Sequence, residues 1–187
     1  LDEMIKIWDP ARISKSPAIF DPLKLRAINA AYIRALPAEE FRKLADPFID
    51  QAVHVQIDRD LLCANLQPRC EVLEDIPPQL DFFDAVLPID AEMYRNKKQK
   101  TTPESAKEAL SALLPVLEAQ TDWSRDAIFE ACKQKAEAME KKNGWLLFPL
   151  GIALSGKART PGGGTDLAAM MGKEETLRRL NAAIEAL

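Results

Sequence analysis

Residues 157–164 of this 187-residue chain read Lys-Ala-Arg-Thr-Pro-Gly-Gly-Gly. They place two cations, one hydroxyl, one proline ring and three successive glycines side by side. All seven glycines of the chain lie at Gly144 or beyond, so backbone freedom is concentrated in this region. Glycine admits positive φ and lets a ligand come close to main-chain N–H groups. The cations of Lys157 and Arg159, the hydroxyl of Thr160, the apolar ring of Pro161 and the bare backbone of Gly162 together suit an unpaired RNA base better than a packed core. A solvated turn between two helices would carry the same residues. Taken alone, the stretch favours that plainer reading.

Other chemistry is thinly supplied. Cys63, Cys70 and Cys132 are an odd number with no close pair, and with the single His54 they match no zinc spacing. That pattern points to reduced thiols and a cytoplasmic setting. One histidine, with no serine or cysteine nucleophile in a recognisable context, leaves no triad to assemble. No apolar run approaches the ~18 residues of a membrane span, and Leu1–Pro10 carries charges and Trp8 in place of a secretory leader. The opening leucine suggests a piece of something longer.

Net charge is −4, with 47% apolar and 29% charged residues, an ordinary globular composition that argues against general nucleic-acid stickiness. The charges are nevertheless clustered. Arg95, Lys97, Lys98 and Lys100 lie together, Lys141 and Lys142 follow, and acids gather at Glu71, Glu74, Asp75, Asp81 and Asp84. Such clustering permits selective RNA contact, and it is equally common on plain solvated helix faces.

The elements that must position these residues read as helices throughout. Asp2–Asp9 is a short helical end with Met4, Ile5 and Trp8 on one side. Asp21-Pro22 is a helix start, an N-cap acid followed by proline in the first turn. Leu25, Ile28, Tyr32 and Leu36 then recur at helical spacing. Pro37, Glu39 and Glu40 open the next helix, which Pro47 should interrupt or restart. Val53, Val55 and Ile57 alternate, but no nearby segment could pair with a strand, so helix is favoured there too. Short helices broken at Pro68, Pro77 and Pro78 follow. Thr102 caps a helix to about Ala119 that buries Ala106, Leu110, Leu113 and Leu117. Ser124 caps another, with Trp123 stapled onto Ile128, and Gly144 should stop it. Asp166–Met171 and Lys173–Leu187 complete the chain, the last with Leu177, Leu180, Ile184 and Leu187 inward. The fold class is all-α, and Pro88 marks the boundary between domains 1–87 and 88–187.

Four stretches in order now carry a resemblance: FDPLKLRAINAAYIRALP (Phe20–Pro37), PRCEVLEDIPPQLDFF (Pro68–Phe83), PLGIALSGKARTPGG (Pro149–Gly163) and MGKEETLRRL (Met171–Leu180). Their order and spacing resemble the C-terminal half of bacterial glutamyl-tRNA synthetases, over nearly the whole chain. The resemblance implies a helical connector beside the tRNA stem, followed by two small α-helical anticodon-binding domains. It implies tRNA(Glu) as partner, a catalytic domain in the same full-length chain, and a monomer. ATP and magnesium would act in that other half, leaving no cofactor for this segment and no membrane contact. The residues Ile13-Ser14-Lys15-Ser16 look superficially like the lysine-bearing ATP loop of class I synthetases. The match is rejected, because no strand–helix alternation exists for such a loop to close over.

The resemblance places Arg69 where the family has an arginine that contacts the third anticodon base. Thr160-Pro161 matches the family's Thr-Pro in the loop that lines the anticodon, with Lys157, Arg159 and Gly162 beside it. Two positions depart from the pattern: many members carry arginine at position 151 and some carry a bulkier apolar residue at 163, where this chain has Gly151 and Gly163. On its own chemistry, without the resemblance, Arg69 reads first as a surface arginine paired with an acid such as Glu71. The rival readings of the whole chain are a free-standing helical binding module and a protein–protein scaffold.

Overall fold

A computed structural model describes residues 2–12 and 19–187, and the ATP-loop look-alike at 13–16 lies outside them. The helices are α1 (Asp2–Ile7), α2 (Pro22–Ala35), α3 (Ala38–Ile49), α4 (Arg59–Leu66), α5 (Pro103–Ala119), α6 (Arg125–Ala138), α7 (Asn143–Ser155), α8 (Gly164–Met171) and α9 (Lys173–Ala186). Short 3₁₀ turns fill much of 67–94, the segment punctuated by Pro68, Pro77 and Pro78. Among the described residues there is no strand beyond one antiparallel bridge between Asn96 and Thr101. The all-α reading holds.

The caps form where the sequence supplies them. Asp21 accepts from the Leu23 and Lys24 N–H groups at 3.0 and 3.3 Å, with Pro22 following in the first turn. Thr102 and Ser105 satisfy each other's backbone across a reciprocal capping box. Each such cap is worth about 1 kcal/mol. Ala106, Leu110, Leu113 and Leu117 are fully buried along α5, and the core runs without a break from Ile33 to Ala183.

Several expectations are corrected. Pro47 sits inside α3 without ending it, because Phe41, Ala45 and Ile49 are all fully buried and hold both halves on one stripe. Residues 53–57 form no helix: the Asp84 carboxylate takes the N–H groups of His54 and Val55 at 2.8 and 3.2 Å, so these donors are satisfied without a helical ladder. Gly144 does not stop α6. That helix ends at Ala138, with Glu140 taking the left-handed turn at φ 55°, and Gly144 lies in the first turn of the next helix. Trp123 sends its indole N–H to the Ala168 carbonyl of α8 at 2.9 Å.

The stripe on α2 also faces the other way. Leu25, Ile28 and Tyr32 are exposed, while Ala30 and Ile33 turn inward. Phe20 and Leu23 are exposed beside them, as are Met4, Ile5 and Trp8 at the start of the chain.

Cys63, Cys70 and Cys132 are unpaired and buried, and burial pushes their thiols up to about 11, 11 and 12. Because the thiolate is the reactive form, the folded chain should react with a thiol reagent at pH 8 far more slowly than the denatured chain. Three thiols that titrate as fast in the native protein as in denaturant would contradict this burial.

Candidate nucleic-acid interface

Helix α7 is apolar all round, and its far end turns into the glycine-rich loop. Gly156 ends the helix at φ 64°, its N–H returning to the Ile152 carbonyl at 2.8 Å. A Cβ there would stand 2.9 Å from that of Leu87, so both conformation and space require glycine. At the loop's other end Gly164 starts α8 against the backbone of α7, where a Cβ would lie 2.8 Å from the Leu147 carbonyl and 2.9 Å from the Gly151 N–H. The close crossing of α7 and α8 thus depends on Gly164, whereas a Cβ on Gly151 would make only ordinary contact.

Between these anchors lies a cleft of about 620 Å³. Its walls bring together Arg69 from the turn after α4, Gln79 from the turn at Pro77–Gln79, Leu147, Phe148 and Gly151 from α7, and Lys157, Arg159, Thr160 and Gly162 from the loop. Arg69 is exposed, and its Nη1 donates to the Thr160 and Pro161 carbonyls at 3.4 and 3.5 Å, long contacts that tether it loosely. Glu71, the alternative partner, is taken by Arg26, which also pairs with Asp75.

The loop residues divide into holders and free groups. Lys157 pairs with Asp81 and donates to the Pro78 carbonyl at 3.0 Å, so it ties the loop to the 77–81 segment. Thr160 donates its hydroxyl to the Gly162 carbonyl at 2.6 Å, leaving its oxygen lone pairs available. Pro161 is buried, which corrects the expectation that its ring offers an open face. Gly162 is buried as well, and a Cβ there would meet the Asp166 Cβ at 2.5 Å. Asp166 accepts from the Gly163 N–H at 2.7 Å and from Arg125 Nε at 3.0 Å, closing the start of α8.

Arg159 is exposed. Of the arginines whose side chains are described, only Arg34, Arg69 and Arg159 lack a carboxylate within ion-pair distance. Two of those three meet in this cleft.

Sequence reasoning missed Gln79, Leu147 and Phe148. Leu147 and Phe148 stand four residues before Gly151 and Ile152, on the face of α7 that lines the cleft. In a helix apolar on every side, periodicity does not single that face out. Among the described residues no cluster of His, Cys, Asp and Glu could hold a metal ion, and no helix is long and apolar enough to cross a membrane.

The chain is 41% identical over 187 residues to a glutamate–tRNA ligase of Clostridium botulinum (strain Hall), covering 100% of this chain and 39% of that protein. A glutamate–tRNA ligase of Clostridium tetani is 40% identical, with 100% and 38% covered. The crystal structure of a glutamate tRNA ligase from Elizabethkingia meningosepticum superposes with a TM-score of 0.83 at 28% identity, over 100% of this chain and 36% of that one. The chain therefore spans well under half the length of the relatives it matches. The family description "anticodon binding domain" matches residues 29–184. With most of its length inside that match, the chain belongs to the anticodon-binding domain family.

Proposed function

We propose that the chain is the tRNA-recognising part of a glutamate–tRNA ligase, a class I aminoacyl-tRNA synthetase, and that its cleft receives the anticodon of tRNA(Glu). The observation that carries this is the meeting of Arg69 and Arg159, both without carboxylate partners, beside glycine backbone and the partly exposed Phe148. Free guanidinium groups suit phosphates and base edges, and an aromatic ring suits base stacking. Lys157, Thr160, Pro161 and Gly162 hold the loop in shape around them.

In this reading residues 1–87 supply the helical connector and the first anticodon-binding subdomain, and 88–187 the second. The exposed apolar residues of α2, Leu25, Ile28 and Tyr32, pack on the catalytic domain of the same full-length chain, which works as a cytoplasmic monomer. ATP and magnesium act in that domain, where glutamate is activated and transferred to the tRNA. This chain's contribution is positional: binding far from the chemistry orients the acceptor end.

Arg159→Ala in the full-length enzyme should lower tRNA charging on the order of 3- to 10-fold, the loss of one phosphate or base contact. Glutamate activation, read by pyrophosphate exchange, should stay at the wild-type rate. A parallel fall in exchange, or unchanged charging, would contradict the assignment.

A further inference from the structure

A second cationic surface stands at the opposite end of α7. The bridge between Asn96 and Thr101 folds residues 97–100 into a tight turn carrying Lys97, Lys98 and Lys100, the last with a left-handed backbone at φ 56°. Lys141 and Lys142 occupy the connection between α6 and α7. The two segments meet where Gln99 packs on Gly144, so closely that a Cβ on Gly144 would collide with the Gln99 amide. Residues more than 40 apart in sequence are thereby joined into one patch of five exposed lysines.

The patch is not balanced by acid. Glu140 is the one carboxylate within 96–101 and 139–144. Ion pairs hold most arginines of this chain, but among the described residues none of these five lysines has a carboxylate within ion-pair distance. Lys141 instead lies over the Trp145 ring, 5.2 Å from its centroid. Lys142, the N-cap of α7, supplies no side-chain acceptor to the first turn, so the positive end of the helix faces the same surface. In a molecule of net charge −4, this concentration of unpaired cations selects a polyanion.

We propose that this patch binds the phosphate backbone of the same RNA whose anticodon enters the cleft. The inference rests on the anticodon reading and adds a second contact to it. Helix α7 joins the two places rigidly: Lys142 precedes its first turn, and Leu147, Phe148, Gly151 and Ile152 line the cleft. At 1.5 Å per residue those cleft residues lie about 8 to 15 Å along the axis from Lys142, a few nucleotides of chain. The patch reads no bases. It fixes the register of the strand, while the cleft reads its sequence.

The test compares the chain with its Lys97→Gln/Lys98→Gln/Lys100→Gln variant, binding transcripts of tRNA(Glu) with the native anticodon or with its third base changed, across a salt series. Each phosphate contact contributes about 0.7 to the log–log salt slope on a single strand. The variant's slope should therefore be about 2 shallower. Its affinity should fall on the order of tenfold at low salt, equally for both transcripts. Lys→Arg at the same three positions should restore the slope, because guanidinium also binds phosphate. An unchanged slope in a variant whose wild type still prefers the native anticodon would overturn the patch and leave the cleft reading intact. Loss of anticodon preference by the variant, with an unchanged slope, would also overturn it. A wild-type chain that binds neither transcript would overturn both readings together.

Discussion

Arg179→Met should destabilise the fold by about 3–5 kcal/mol, the range for removing one partner of a buried ionic network. Arg179 is only 2% exposed, yet its guanidinium has four partners. Nη1 donates to the carbonyls of Phe82 and Leu154, each at 2.6 Å, Nη2 to that of Phe83 at 2.9 Å, and Nε to Glu175 at 2.6 Å. One side chain thus pins the 82–83 segment, the end of α7 and helix α9 together. Methionine fills much of the volume and removes the desolvation of a buried charge, which offsets part of the loss. Three carbonyls still lose their donor, at about 1–3 kcal/mol for each that stays buried and unpaired. Glu175 keeps Arg178, whose hydrogen bonds are the foremost cause of its carboxyl lying below the ordinary range. The carbonyls therefore dominate. At about 2–4 °C per kcal/mol for a chain of this size, the melting temperature should fall by about 10 °C. Arg179→Lys should not rescue it, since one ammonium cannot span acceptors on two separate segments. A melting temperature within about 2 °C of wild type would contradict the pinning role.

Arg69→Gln should leave the fold intact and relax base selection. The arginine is exposed, and two long hydrogen bonds to the loop are all that it would give up. Only Nη1 is engaged, so Nε and Nη2 are free to donate together into the cleft. Glutamate and glutamine anticodons differ at the third base, cytosine in the first and guanine in the second. An unpaired cytosine presents O2 and N3 as acceptors on its Watson–Crick edge, while guanine presents N1–H and its 2-amino group there. Arginine only donates, so guanine sets donor against donor. Such a mismatch costs about 1–3 kcal/mol by analogy with base readout in grooves. The glutamine amide can turn either its oxygen or its nitrogen to the base, which removes the bias. The preference for cytosine should therefore narrow by about tenfold or more, the equivalent of about 1.4 kcal/mol.

Local rules were legible wherever one residue type decides an element. Asp21-Pro22, Thr102 and Ser124 cap the helices they announce, and the α5 stripe is buried as its spacing requires. The failures share one physical origin, a distant group overriding a local preference. Asp84 draws the 54–55 backbone out of helix, and the buried stripe of α3 carries it through Pro47. Nothing local on α9 marks Arg179 as buried, because its acceptors lie up to 97 residues away. The site was half legible. The glycines and cations of 157–164 mark the loop, but which cations are free depends on partners elsewhere. Asp81 engages Lys157, and Arg26 draws Glu71 away from Arg69. Burial of Pro161 follows from the tertiary placement of its loop and has no signature in the local residues.

The most direct measurement is the charging efficiency of the full-length enzyme, wild type and Arg69→Gln, on two tRNA(Glu) transcripts that differ only in cytosine or guanine at the third anticodon base. The wild type should favour cytosine, and the variant's ratio should be at least about tenfold closer to one. Pyrophosphate exchange should be equal for the two proteins. Equal ratios in wild type and variant would contradict the reading of this cleft as the place where the anticodon is recognised.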